Sequence, residues 1–203
     1  MNLGMSVAEA LLARTPIPLS NIGDFTGAGI YAIYYIGEFP SYNPISIRNL
    51  GNRFEVPIYV GKAVPSGARK GGSLSSDPGE ALNKRLREHA KSIQEASNLS
   101  IEDFHCRFLV VDDIWIPLGE ALLIAWFSPV WNTLVDGFGN HDPGRGRHQG
   151  MRPRWDTLHP GRDWALNCQE RPESAERIMA DVEQYLRTNP LPIDVRGRDI
   201  GKK

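Results

Sequence analysis

The chain has 203 residues, with 23 Lys and Arg against 24 Asp and Glu, a net charge of −1. That length suits one domain with a full core and is too short to expect three, and no run of eighteen apolar residues is present to cross a membrane. Two cysteines, Cys106 and Cys168, are too few for a disulfide framework or a cysteine zinc site. No basic-apolar-small leader opens the chain, so the expectation is a soluble protein of the reducing cytoplasm.

Near-neutral net charge argues against a generic polyanion binder, but the charge is uneven. Residues 56–99 carry seven Lys/Arg against four acids, residues 100–143 one Arg against seven acids, and residues 144–154 four Arg and no acid. Local cationic faces beside one acidic region fit that distribution.

Residues 6–14, SVAEALLAR, read as a short amphipathic helix. Residues 29–36 are apolar on both faces and read as a central strand covered on both sides. Residues 38–57, rich in Pro, Asn, Gly and Ser, read as a long loop, followed by a second strand at 58–61. A helix starts near Asp77, which can cap it, with Pro78 at the first position and Glu80 at capping-box spacing. Leu82, Leu86, Ala90 and Ile93 are its apolar stripe. A third strand is expected at 106–111, with a buried thiol at Cys106, and a compact helix at 119–127 stopped by Ser128-Pro129. From 136 to 172 frequent Gly and Pro indicate an irregular arm, and a last helix spans about 173–188. The pattern predicts a mixed α/β (α+β) fold: a small, mainly antiparallel three-stranded sheet flanked by helices.

The stretch GIYAIYYIG at 29–37 poses a question of pairing. Tyr31 and Tyr35 are four residues apart on one strand and share a face, with too few residues between them for a hairpin. Tyr59, in IYVG, opens a new strand and can stand beside Tyr31. Arg85 and His89 lie at i and i+4 on the following helix, hence on one face. Glu120 shares the inward face of the next helix with Ile124 and Phe127, and Asn132 follows Pro129. Each has an ordinary alternative: core tyrosines, a solvated arginine, a helix-surface histidine, a first-turn carboxylate, a turn asparagine.

In order, GIY at 29–31, YVG at 59–61, RLREH at 85–89 and GEALLIAWFSPVWN at 119–132 resemble the successive motifs of the GIY-YIG nuclease superfamily. The resemblance covers residues 29–132. The 27 residues between Tyr31 and Tyr59 exceed the spacing of the homing and repair branches, whereas restriction enzymes of the superfamily tolerate such an insertion. Residues 137–165, GFGNHDPGRGRHQG…WDTLHPGRDWA, also resemble the C-terminal part of the restriction branch that cuts 5′-CCGCGG.

The resemblance implies a single nuclease domain over 1–203, with a catalytic core at 29–132 and a DNA-reading arm and C-terminal helix at 136–203. The activity it implies is type II restriction cleavage of double-stranded DNA. Glu120 offers hard carboxylate oxygen to one Mg²⁺ per site, with Mn²⁺ a substitute. Arg85 can hold the scissile phosphate in a fork, and Asn132 can orient the metal site or a phosphate oxygen. By resemblance Tyr31 is the base that activates water, with Tyr59 and His89 positioning or relaying. Tyrosinate must be favoured by cations such as Lys62 and the metal–phosphate centre.

Arg145, Arg147, His148, Gln149, Arg152 and Arg154 suit a groove rich in guanine. Arg48 and Arg53 in the 38–57 loop form a second contact surface. A palindromic site cut on both strands implies a homodimer, and a toxic nuclease implies a cognate methyltransferase as genetic partner. Two other classes compete: a catalytically silent DNA-binding module on the same fold, and a structure-specific repair nuclease that needs no base-reading arm. An HNH-type site from Asn140, His141 and His148 would require a hairpin that residues 137–153 do not resemble. No Ser-His-Asp elbow, phosphate-cradling loop or dinucleotide fingerprint is present.

Overall fold

A computed structural model of the chain describes residues 3–64, 79–142 and 149–192. In chain order the elements are α1 (Leu3–Leu12), β1 (Ile17–Pro18), β2 (Gly29–Tyr35), α2 (Asn43–Asn49), β3 (Tyr59–Ala63), α3 (Ala81–Glu95) and β4 (Phe104–Val110). They continue with α4 (Ile116–Phe127), α5 (Val130–Thr133), α6 (Arg154–Leu158), α7 (Asp163–Leu166) and α8 (Ala175–Thr188). Among the described residues, no helix is long and apolar enough to cross a membrane.

The sheet runs β1-β4-β2-β3 and every pairing is antiparallel. All seven residues of β2 are buried, as expected of a strand packed on both faces. Its alternation divides the core. Tyr31, Ile33 and Tyr35 face Leu82, Leu86 and Ile93 of α3 together with Trp131, Phe138, Trp155 and the stripe of α8. Ile30, Ala32 and Tyr34 face Ala8 and Leu11 of α1 and Leu123 and Phe127 of α4. Gly29 lets β2 lie close to β4, since a Cβ there would fall 2.0 Å from the Leu109 carbonyl oxygen. The sheet has one strand more than the three expected: β1 is two residues long and includes a proline, too short for alternation to reveal it.

Several boundaries move for local reasons. α4 begins at Ile116, with Pro117 in its first turn, and stops at Ser128, which adopts left-handed backbone at φ 43° before Pro129. α8 opens on Ser174, whose hydroxyl accepts from the Arg177 amide at 3.3 Å. The caps expected at Asp77 and Pro78 lie outside the described residues.

Two stretches expected to be irregular are ordered parts of the fold. Within 38–57, Asn43–Asn49 is helical, and buried Asn49 donates to the Tyr35 and Val56 carbonyls while accepting from the Val56 amide. That side chain replaces backbone pairing, which is why a Pro/Asn/Gly composition coexists with order. The 136–172 stretch is likewise no loose arm in its described parts. Phe138, Trp155 and Leu158 enter the main core, because the aromatic residues between the glycines and prolines bury large apolar area.

Candidate active site

Two paired strands bring the tyrosines together. Tyr31 pairs with Gly61 and Ile33 with Tyr59, so Tyr31 and Tyr59 are diagonal neighbours on one face, their ring centroids 6.2 Å apart. The glycine of YVG makes room for the first tyrosine: a Cβ on Gly61 would lie 2.4 Å from the Tyr31 hydroxyl. Tyr35 takes no part. Its hydroxyl accepts from the Phe39 amide at 2.7 Å, its ring packs on Tyr42 and Phe104, and burial pushes its pKa up to about 12.

One turn of α3 sets Arg85 and His89 against this pair. His89 is buried, with Nε2 2.6 Å from the Tyr31 hydroxyl. Burial first, then the charges of Arg85, His141 and Arg162, hold its pKa well below 6.5, so it is neutral at pH 7. In the tautomer protonated at Nδ1 it accepts from Tyr31. Burial raises the Tyr31 pKa well above 10, with Tyr59 adding and Arg85 opposing. Tyr59 is raised too, again by burial first and against Arg85. Both tyrosines are therefore neutral phenols in the protein alone, and ionising either requires more positive charge beside them. Arg85 donates to the Gly139 carbonyl at 2.7 Å, lies 3.4 Å from Glu88, and meets His141 Nε2.

Glu120 and Lys62 form a second cluster, with Nζ 2.6 Å from the carboxylate. By strand alternation Lys62 stands on the face opposite Tyr59 and Gly61, the face that α4 covers. β3 is the sheet edge, so the clusters adjoin around it, and the Glu120 charge is a lesser cause raising both tyrosine pKas. Lys62 is 40 % exposed and Glu120 18 %, so the lysine can swing to solvent and free the carboxylate for a cation. Among the described residues no three His, Cys, Asp or Glu side chains gather to hold a metal. One hard carboxylate fits Mg²⁺, an ion that keeps several waters.

Asn132 works through the strand. Its Oδ1 accepts from the Val60 amide and its Nδ2 donates to the Val60 carbonyl, both at 2.8 Å. The amide thus satisfies the open edge of β3 between Tyr59 and Gly61, where an unpaired backbone would otherwise solvate or aggregate. Sequence reasoning placed Asn132 at the metal or phosphate; both ends of its side chain are instead engaged with the strand that carries the site.

The expected DNA contacts are dispersed. Arg48 binds Glu55 at 2.5 Å and the Pro192 carbonyl at 2.8 Å, and Arg53 reaches back to the carbonyls of Leu50 and Ile47. Arg154 binds Asp181, Glu173 and the Leu134 carbonyl with its side chain only 13 % exposed. Arg152 donates to the Ala165 carbonyl at 3.0 Å. Gln149 is exposed, while Arg145, Arg147 and His148 lie outside the described residues.

Sequence reasoning missed the loop that roofs the site. Phe138 stacks on His89 at 4.5 Å and 17° and meets Tyr59 edge-on at 5.0 Å. A Cβ on Gly139 would lie 2.8 Å from the Tyr59 hydroxyl. An aromatic between two glycines in GFGN is the only local signal, and nothing in it points to α3.

Residues 23–186 match the sequence model of the Eco29kI GIY-YIG domain. The match takes in every residue of both clusters and covers well over half of the chain. No curated protein matches the chain.

Proposed function

Because the chain belongs to the Eco29kI GIY-YIG domain family, a restriction endonuclease family, we propose that it is a Mg²⁺-dependent type II restriction enzyme. Its substrate is double-stranded DNA carrying a short palindromic G/C-rich site, CCGCGG. The observation that carries the reading is the Tyr31 hydroxyl held 2.6 Å from a neutral, buried His89, with Arg85 alongside.

Arg85 clamps the scissile phosphate, exchanging its contact with His141 for phosphate oxygens while the Gly139 carbonyl keeps its hold on the other terminal nitrogen. Tyr31 takes the proton of the attacking water while its own hydroxyl proton passes to His89 Nε2. An imidazolium beside Arg85 is costly in the free protein, so the transfer waits for phosphate charge to engage Arg85; this ties proton movement to bound substrate. Tyr59 fills the face beside Tyr31 and keeps the water in line. Glu120 would hold the Mg²⁺ once Lys62 turns away, and Lys62 would then add positive charge near the phosphate. Bound there, such an ion would acidify water and draw charge from the phosphate. Gln149, with Arg145, Arg147 and His148, offers the donors that guanine O6 and N7 accept. Cutting both strands of a palindrome requires a two-fold pair of chains, and the host genome requires a methyltransferase of the same specificity.

The test is cleavage of a plasmid with one CCGCGG site, with and without Mg²⁺, followed by end sequencing. Discrete Mg²⁺-dependent breaks at that site support the whole reading. Discrete cuts elsewhere retain the enzyme class and discard the site. No cutting by folded, DNA-binding protein favours a silent binding module.

A further inference from the structure

Arg162 is among the most deeply buried side chains of the protein, 1 % exposed, and every donor on its guanidinium is used. Nε and one terminal nitrogen form a fork with Asp156, each bond 2.6 Å. The remaining donors reach the carbonyls of Gly137 at 2.9 Å, Phe138 at 3.2 Å and Asn140 at 3.1 Å. Its central carbon lies over the ring of Trp155, 4.5 Å from the centroid, and over that of Trp164, 4.8 Å away.

A buried ion pair is a poor way to gain stability, because desolvation offsets most of the attraction and apolar side chains would pack as well. What a guanidinium does that apolar packing cannot is fix the direction of three carbonyls in one four-residue loop. That loop leaves Gly137 at φ 103°, stacks Phe138 on His89 and turns the Gly139 carbonyl onto Arg85. Asp156 and Arg162 lie outside the motif segment, and no step above uses them.

We propose that the Arg162–Asp156 clasp is a positioning element of the nuclease centre, setting the 137–140 loop so that Phe138 and Gly139 hold His89 and Arg85 in their working geometry. The proposal rests on the nuclease reading above and adds a residue pair that touches neither DNA nor metal. Without the clasp the roof lifts, water reaches His89 and Arg85 loses its aim. A guanidinium misplaced by about 1 Å costs roughly a hundredfold in rate, whereas affinity for DNA, spread over many phosphates, changes little.

The experiment compares the full chain with Arg162→Lys, Arg162→Ala and Phe138→Leu. Arg162→Lys keeps the charge but cannot form the fork or reach three carbonyls. Single-turnover cleavage should fall about a hundredfold in the two Arg162 variants with duplex affinity nearly unchanged. Guanidinium at low millimolar concentration, filling the vacated slot against Trp155 and Trp164, should restore part of the Arg162→Ala rate, and ammonium should not. The second readout needs no cleavage: the ring-proton resonance of His89, by NMR. In the parent it should titrate well below 6.5. In all three variants it should titrate closer to 6.5, facing Tyr31, Tyr59, Arg85, His141 and the side chain at position 162, and in the two Arg162 variants it should also lose the ring-current shift of Phe138. Phe138→Leu leaves the clasp in place and serves if the Arg162 variants fail to fold. An unchanged rate and an unchanged His89 titration in folded Arg162→Lys, or in Phe138→Leu, overturn the proposal. If the parent protein cuts no DNA, the nuclease reading has failed, and the His89 resonance alone then decides whether the clasp positions that ring.

Discussion

The motif segment, 29–132, and the Gly/Pro-rich segment after it both carry arginine and histidine, and Arg85 with His89 in the first contrasts with Arg154, Arg162 and His159 in the second. In the first, Arg85 and His89 converge with Tyr31 and Tyr59 beside the open edge of β3. In the second, Arg154 and Arg162 turn inward onto Asp181 and Asp156, and His159 is buried between the Tyr42 hydroxyl, 2.7 Å away, and Asn98. Charge density along the chain is thus a weak guide to a binding surface. A guanidinium that finds a carboxylate and carbonyls inside the fold is a structural part, whatever its neighbours in sequence.

The sharpest way to break this comparison is Trp155→Ala. If the second segment is core, the substitution costs about 3–5 kcal/mol, seen as a large drop in the urea midpoint; a loose DNA-reading arm would show almost none. Next comes Tyr31→Phe, which leaves packing intact and removes the proton path. Single-turnover cleavage should fall by roughly 10²–10⁴ with melting temperature little changed, and near-normal cleavage would remove Tyr31 as the base.

Acid sharpens the comparison because each segment contributes one buried neutral histidine. His89 is held well below 6.5, and burial pushes His159 down to about 3. Both folded-state values lie below the unfolded one, so below pH 6.5 the unfolded chain binds protons that the native chain refuses. Stability is full above that pH and falls as pH drops; His159 alone approaches about 1.4 kcal/mol per pH unit near pH 5, and His89 adds in the same direction. Urea titrations at pH 7.5, 6 and 5 measure the slope, and replacing His159 by Gln should make it shallower.

The smallest expected effect is at the strand edge. Asn132→Ala leaves the Val60 amide and carbonyl without their partner and should cost about 1–3 kcal/mol. Its activity should fall with stability rather than through metal affinity, which Mn²⁺ titration separates. A pure loss of metal binding would return Asn132 to the direct role expected from sequence.

Legibility followed the range of the interaction. The assignment of Tyr59, not Tyr35, as partner of Tyr31 follows from strand geometry alone, since side chains alternate with period two and a hairpin needs a loop. Arg85 and His89 share a face because a helix repeats every 3.6 residues. The family match over 23–186 agrees with the ordered motifs that pointed to the superfamily.

What no local rule contains is which distant group each side chain meets. β1 is invisible because two residues carry no periodicity. α2 hides in a loop-like composition because Asn49 supplies bonds that composition does not record. Asn132 reads as a turn residue until β3 is seen to present a free edge beside it. Phe138 gains its role only when the chain returns to His89 of α3, and Arg162 only when it meets the 137–140 loop. The sequence by itself determined the three longer strands, the main helices and which tyrosines, arginine and histidine share a face, since these depend on neighbours within a few positions. Only the tertiary structure decided which arginines face solvent, which carbonyl receives Arg85 and what covers His89, because burial and direction are properties of the packed whole.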